Sequence, residues 1–170
     1  MSVTPCELPA GALLQRHCAE GAFTDSYRST VPGRIVLADF VAAFYTTPLF
    51  KLERAVLALA GAPSTDDDAR ALGEGRGERF AVWRVEARAE GQLLLVERTG
   101  RTRLWLMVEP DAAGRETVLR FGSALLPRGD RAIGERRSGR LFTALLGLHD
   151  RYSRALLAAA ARRLRTGSAP

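Results

Sequence analysis

The chain has 170 residues, 46% of them hydrophobic and 26% charged, with a formal net charge of +6. That length is the size of one domain, and the composition excludes a disordered or collagen-like chain while providing for one sizeable core. The basic excess is local: residues 128–165 hold ten arginines against Asp130, Glu135 and Asp150, and the rest of the chain is close to neutral.

Arginine supplies nearly all the positive charge, since Lys51 is the single lysine, and no asparagine occurs. With abundant Ala and Gly, this matches a GC-rich coding bias and not a nucleic-acid surface. No aromatic residue interleaves with Arg128, Arg131, Arg136, Arg137 and Arg140, and no DNA-reading motif occurs, so nucleic acid is an unexpected partner. Two cysteines, Cys6 and Cys18, are too few for a disulfide framework and wrongly spaced for a metal knuckle. No basic-then-apolar leader is evident, and no charge-free apolar run approaches the ~18 residues of a membrane span. These features predict a cytoplasmic protein with reduced thiols.

A single domain spans residues 1–170, with 1–7 and 166–170 expected as loose ends. Leu8 to Cys18 reads as a weak helix, interrupted by Pro9 and Gly11. Phe23 to Val31 alternates and ends at Pro32-Gly33, which predicts the first strand. A helix pair follows. Val36, Phe40, Ala43, Phe44 and Thr47 recur at helical spacing. Thr47 then caps a second helix with Pro48 at its first position, and Leu49, Leu52, Val56, Leu59 and Ala60 form its apolar stripe up to Gly61. Ser64-x-x-Asp67 predicts a capping box for a third, short helix.

Beyond the Gly73/Gly75/Gly77 stretch the period drops to two. That stretch follows a helix and precedes a strand, the reverse of a dinucleotide-binding turn. Strands are predicted over Phe80–Ala89, Gln92–Thr99, Thr102–Glu109 and Thr117–Leu126, joined by short hairpin turns. Gly139 to Arg165 is a long helix with Leu141, Leu145, Leu148, Tyr152, Leu156 and Ala159 on one face and Phe142, Leu146 and His149 beside them. The fold class is α+β: an antiparallel sheet of about five strands gripping a long C-terminal helix, with a helix pair between strands one and two.

This order is similar to the helix-grip (SRPBCC) superfamily of START-like and pollen-allergen-like domains. The stretches Ala42-Ala43-Phe44-Tyr45-Thr46-Thr47-Pro48-Leu49-Phe50, Ala81-Val82-Trp83-Arg84, Thr102-Arg103-Leu104-Trp105-Leu106-Met107-Val108 and Phe121-Gly122-Ser123-Ala124 resemble an uncharacterised bacterial family related to that superfamily. The resemblance covers roughly residues 20–160 and implies an apolar cavity between sheet and long helix. Some superfamily members are cyclases or hydrolases, so it does not imply one reaction. Five strands fall short of the six or seven of the full pattern.

Residues that would converge under the helix are His149, Tyr152 and Ser153 on the helix itself, Tyr45 on the helix pair, and Trp83, Leu104, Leu106 and Phe121 as a floor. An apolar pocket with a few polar handles is the usual form of a small-molecule site. The competing reading makes the same aromatics ordinary core. His149 is the catalytic candidate, with Tyr152 the other group able to do acid–base work, although no nucleophile elbow or third triad member accompanies the histidine. The Cys/His set fits no zinc pattern, and no cofactor is expected. With Leu104 and Leu106 facing inward, Trp105 and Met107 face outward and need a cover. Either the N-terminal segment with Leu13 and Leu14 supplies it, or a second subunit does. The expected functions are binding of a small apolar or amphipathic ligand, cyclase- or hydrolase-type catalysis in the same cavity, or protein interaction including homodimerisation.

Overall fold

The computed structural model describes residues 2–126 and 140–167, with side chains for 2–126 and 148–166. The elements in chain order are β1 (Thr4–Pro5), α1 (Gln15–Ala19), β2 (Phe23–Pro32), α2 (Leu37–Tyr45), α3 (Pro48–Leu59), α4 (Asp66–Gly73), β3 (Arg79–Phe80), β4 (Trp83–Ala89), β5 (Gln92–Glu97), β6 (Thr102–Pro110), β7 (Glu116–Leu125) and α5 (Arg140–Gly167). They form an α+β fold with one antiparallel sheet in the order β1-β2-β7-β6-β5-β4-β3 and a long C-terminal helix. The Arg128–Arg140 run and the stripe positions Leu141, Phe142, Leu145 and Leu146 lie outside the described side chains.

The expectation of five strands is corrected to seven among the described residues, for two physical reasons. The start of the chain is not loose: Thr4 and Pro5 pair with Arg28 and Tyr27, using the otherwise open edge of β2. The run from Phe80 is not one strand: Ala81 adopts φ 51°, and the chain turns so that Phe80 pairs with Trp83. At the other end, helix α5 reaches Gly167 instead of fraying at 166. The expected Leu8–Cys18 helix contracts to Gln15–Ala19, because Gly11 turns the chain at φ 81° before it.

Local signals explain the helix pair. Thr47 accepts from the amide of Phe50 and Pro48 opens the helix, as expected of that dipeptide. The capping box falls one residue later than expected. Thr65 Oγ1 accepts from Asp68 N at 3.1 Å and the Asp68 carboxylate accepts from Thr65 N at 2.7 Å, while Ser64 Oγ accepts from Arg54 Nε at 3.2 Å. The apolar stripe of α3 is also corrected. Leu52, Val56 and Leu59 are 67%, 61% and 91% exposed, whereas Phe50 is buried. Aromatic packing outweighs the aliphatic row: Phe50 meets Tyr45 and Phe80, and Arg54 lies over Phe80.

The register gives the sheet two faces. Asp25, Ser123, Leu104, Leu95 and Val85 stand in one inner row, and Tyr27, Phe121, Leu106 and Leu93 in the next. Over this face α2 and α5 bury Phe40, Phe44, Leu156 and Leu157 in the main core. On the outer face, Trp105 is fully buried beneath Ala12 and Leu14, with Leu8, Leu13 and Met107 partly buried around it. The N-terminal segment therefore covers the face that motivated the dimer expectation. Gly122 permits this closeness: a Cβ there would stand 2.9 Å from Asp25 O, 3.0 Å from Leu14 Cδ2 and 3.1 Å from Trp105 Cε3. Among the described residues no helix is long and apolar enough to cross a membrane.

Candidate functional site

The residues expected to converge divide into two groups. Leu104, Leu106 and Phe121 form the inner floor, with Trp83 two residues from Val85 on the same face. Tyr45 is fully buried against this core, its ring 4.5 Å from that of Phe80 and 4.7 Å from that of Phe50. Burial, and secondarily the nearby charge of Glu53, pushes its phenol pKa well above the ordinary value. Tyr152 donates to the Glu53 carboxylate, whose charge also acts on Tyr45. Burial pushes the Glu53 pKa up, and the Tyr152 hydrogen bond offsets part of that rise. Tyr45 OH, Trp83 Nε1 and Ser153 Oγ are each buried without a hydrogen-bond partner, as are Ser29 Oγ, Arg88 Nε and Arg101 Nε.

His149 goes elsewhere, to the sheet. Its Nε2 lies 3.1 Å from Asp25 Oδ2 and 3.1 Å from Ser123 Oγ. Ser123 donates its hydroxyl to Asp25 Oδ1 at 2.6 Å, and its backbone N–H donates to the same oxygen at 3.1 Å. The serine proton is therefore committed to the carboxylate, and its oxygen accepts from the imidazole. These contacts tie α5 to β2 and β7 through an ion pair between His149 and Asp25. Tyr27 extends the network, donating to Asp150 Oδ1 at 2.9 Å and approaching Asp25 Oδ2 at 3.2 Å. Arg154 binds Asp150 and places its guanidinium over the Tyr27 ring.

The charges follow from these contacts. The Asp25 hydrogen bond holds the His149 pKa above its ordinary value, against burial and with help from the charges of Asp25 and Asp150. Burial disfavours the Asp25 charge, but the hydrogen bonds from His149 and Ser123 and the His149 charge outweigh it and hold its pKa down. The raised histidine contributes stability that is complete below its ordinary 6.5 and is lost as pH rises through the raised value. The lowered aspartate contributes stability that is complete above 3.8 and is lost as pH falls through the lowered value. The pair thus contributes most between those two values. His149→Gln should lower the urea midpoint more at about pH 5.5 than at about pH 8.5, by the equivalent of about 1 kcal/mol or less because solvent screens the half-exposed ring. An effect independent of pH would show that the pair contributes nothing.

Glu53, Asp25, Ser123 and Tyr27 are not among the site residues expected from the sequence. Asp25 and Ser123 did carry a signal, since each occupies the apolar register of its strand, two residues from Tyr27 and Phe121. Glu53 carried one too: it lies three residues from Phe50, on the buried side of α3 and away from the aliphatic row. Among the described residues no group of three or more His, Cys, Asp or Glu side chains is placed to hold a metal ion. No family model matches the chain, and no curated protein matches it.

Proposed function

We propose that the protein is a small-molecule binding module of helix-grip type, related to START-like domains, which holds an apolar or amphipathic molecule between the inner sheet face and α5. The observation that supports this reading is that three of the six described buried polar side-chain atoms without partners, Tyr45 OH, Trp83 Nε1 and Ser153 Oγ, belong to the residues expected under the helix, Tyr45 in the main core and Trp83 packed against it. A buried polar atom left unsatisfied costs about 1–3 kcal/mol, a cost that a bound molecule offsets by supplying partners. Trp83 Nε1 can only donate, so the molecule must present an acceptor to it, while the two hydroxyls serve as donor or acceptor. Apolar surroundings with a few fixed polar groups suit a molecule of mixed character.

The test is native mass spectrometry of protein purified from its own host, against the denatured mass. A non-covalent adduct of small-molecule size is the expected result, and a bare chain that also fails to bind the amphipathic fluorophore anilinonaphthalene sulfonate would overturn the reading. Trp83→Phe should weaken fluorophore binding roughly three- to tenfold, the value of one hydrogen bond, with little change in stability. Equal loss of binding and stability would mark Trp83 as plain core.

A further inference from the structure

The two cysteines, separated by 11 residues in sequence, open on the same groove. Cys6 continues the β1–β2 ladder, its N–H donating to Ser26 O at 2.9 Å, and its Sγ lies 3.3 Å from Ser26 Oγ. Cys18, on α1, has its Sγ 3.3 Å from Thr24 Oγ1. Thr24 and Ser26 are alternate residues of β2, so they share a face and stand about 7 Å apart. Both sulfurs are thus held over adjacent same-face positions of one strand. Both line an open groove of about 450 Å³ that is also bordered by Asp25, Tyr27 and Asp150. Cys18 is exposed and Cys6 half-buried, so a small oxidant can reach them.

We propose that Cys6 and Cys18 are a redox pair that a hydroperoxide converts to an intrachain disulfide across this groove. The exposed Cys18 sulfur attacks the peroxide oxygen, the O–O bond breaks, and a sulfenic acid forms with release of one water. Cys6 sulfur then attacks the Cys18 sulfur, expelling the sulfenic oxygen as a second water. Two thiols are oxidised by two electrons and one hydrogen peroxide is reduced to two waters. A disulfide requires Cα atoms about 4.4–6.8 Å apart, and any approach it needs falls on the short elements that carry the cysteines, two-residue β1 just before Cys6 and five-residue α1. The bond ties the segment that covers Trp105 to the edge of the sheet.

The experiment treats the folded protein with hydrogen peroxide and follows free thiols and mass. The chain contains Arg16 between the cysteines, so trypsin places them in peptides 1–16 and 17–28. Expected are a monomer lighter by about 2 Da, a cross-linked 1–16/17–28 pair, and formation at least about tenfold faster than in the urea-unfolded chain. In Cys6→Ser the same treatment should carry Cys18 on to sulfinic acid, since no resolving thiol remains. Oxygen added to Cys18 of the wild type with Cys6 still free, a dimer linked between chains, or an unfolded chain that closes as fast as the folded one would each overturn the proposal.

Discussion

Trp105→Ala is expected to lower the unfolding free energy by about 3–5 kcal/mol in urea denaturation, the range for deleting a large aromatic from a core. The side chain has no exposed surface and forms the centre of the second core, beneath Leu14 and beside Leu94 and Ala124. Its loss also removes a polar partner. Trp105 Nε1 donates to Gln92 Oε1 at 2.9 Å, and the same oxygen accepts from Leu13 N at 3.0 Å while Gln92 Nε2 donates to Gly11 O at 3.2 Å. One buried amide thus ties strand β5, strand β6 and the N-terminal segment together. Gln92→Ala should cost about 1–3 kcal/mol by stranding the indole N–H and the Leu13 amide. In both variants, backbone amides of residues 8–19 should exchange faster than those of β6, because only the cover has lost its anchor. A loss under about 1 kcal/mol for Trp105→Ala would show that the cover contributes little.

The second large effect is a pair of changes at Tyr45 with opposite outcomes. Tyr45→Ala should cost about 3–5 kcal/mol, because the ring is fully buried and meets Phe44, Phe50 and Phe80. Tyr45→Phe keeps the ring and removes the buried hydroxyl that has no partner, so its stability should equal or exceed that of the wild type, by up to about 1–3 kcal/mol. The same variant should bind the amphipathic fluorophore more weakly. A gain in stability with a loss of binding is the signature of a polar group retained for a ligand. A loss of stability in Tyr45→Phe would mean that the hydroxyl is satisfied within the chain.

These two residues show different degrees of legibility. The alternation through Leu104, Trp105 and Leu106 identified which side chains face inward, and the register bears out that division. It also left two covers open for Trp105, because an apolar outer position says only that something must lie over it. Leu14 fills that role, at a point where Gly122 lets the two segments close. On α3 the pattern misled, since Leu52, Val56 and Leu59 make as regular a stripe as Phe50, Glu53 and Leu57. Which stripe faces inward depends on the aromatic ring of Phe80 about thirty residues later, and no local period records that.

Periodicity and capping by themselves determined the order of the longer helices and strands, the α+β class and the inner floor of Leu104, Leu106 and Phe121, but not the two short strands β1 and β3. Those features rest on interactions within a few residues and on the alternation of a pleated strand. Tertiary structure alone decided where the polar groups went. His149 and Tyr152 are neighbours on one helix, yet His149 pairs with Asp25 and Ser123 on the sheet while Tyr152 meets Glu53, 99 residues away in sequence. Burying a charged or hydrogen-bonding side chain requires a partner, and that partner is whichever residue the folded chain brings within about 3 Å.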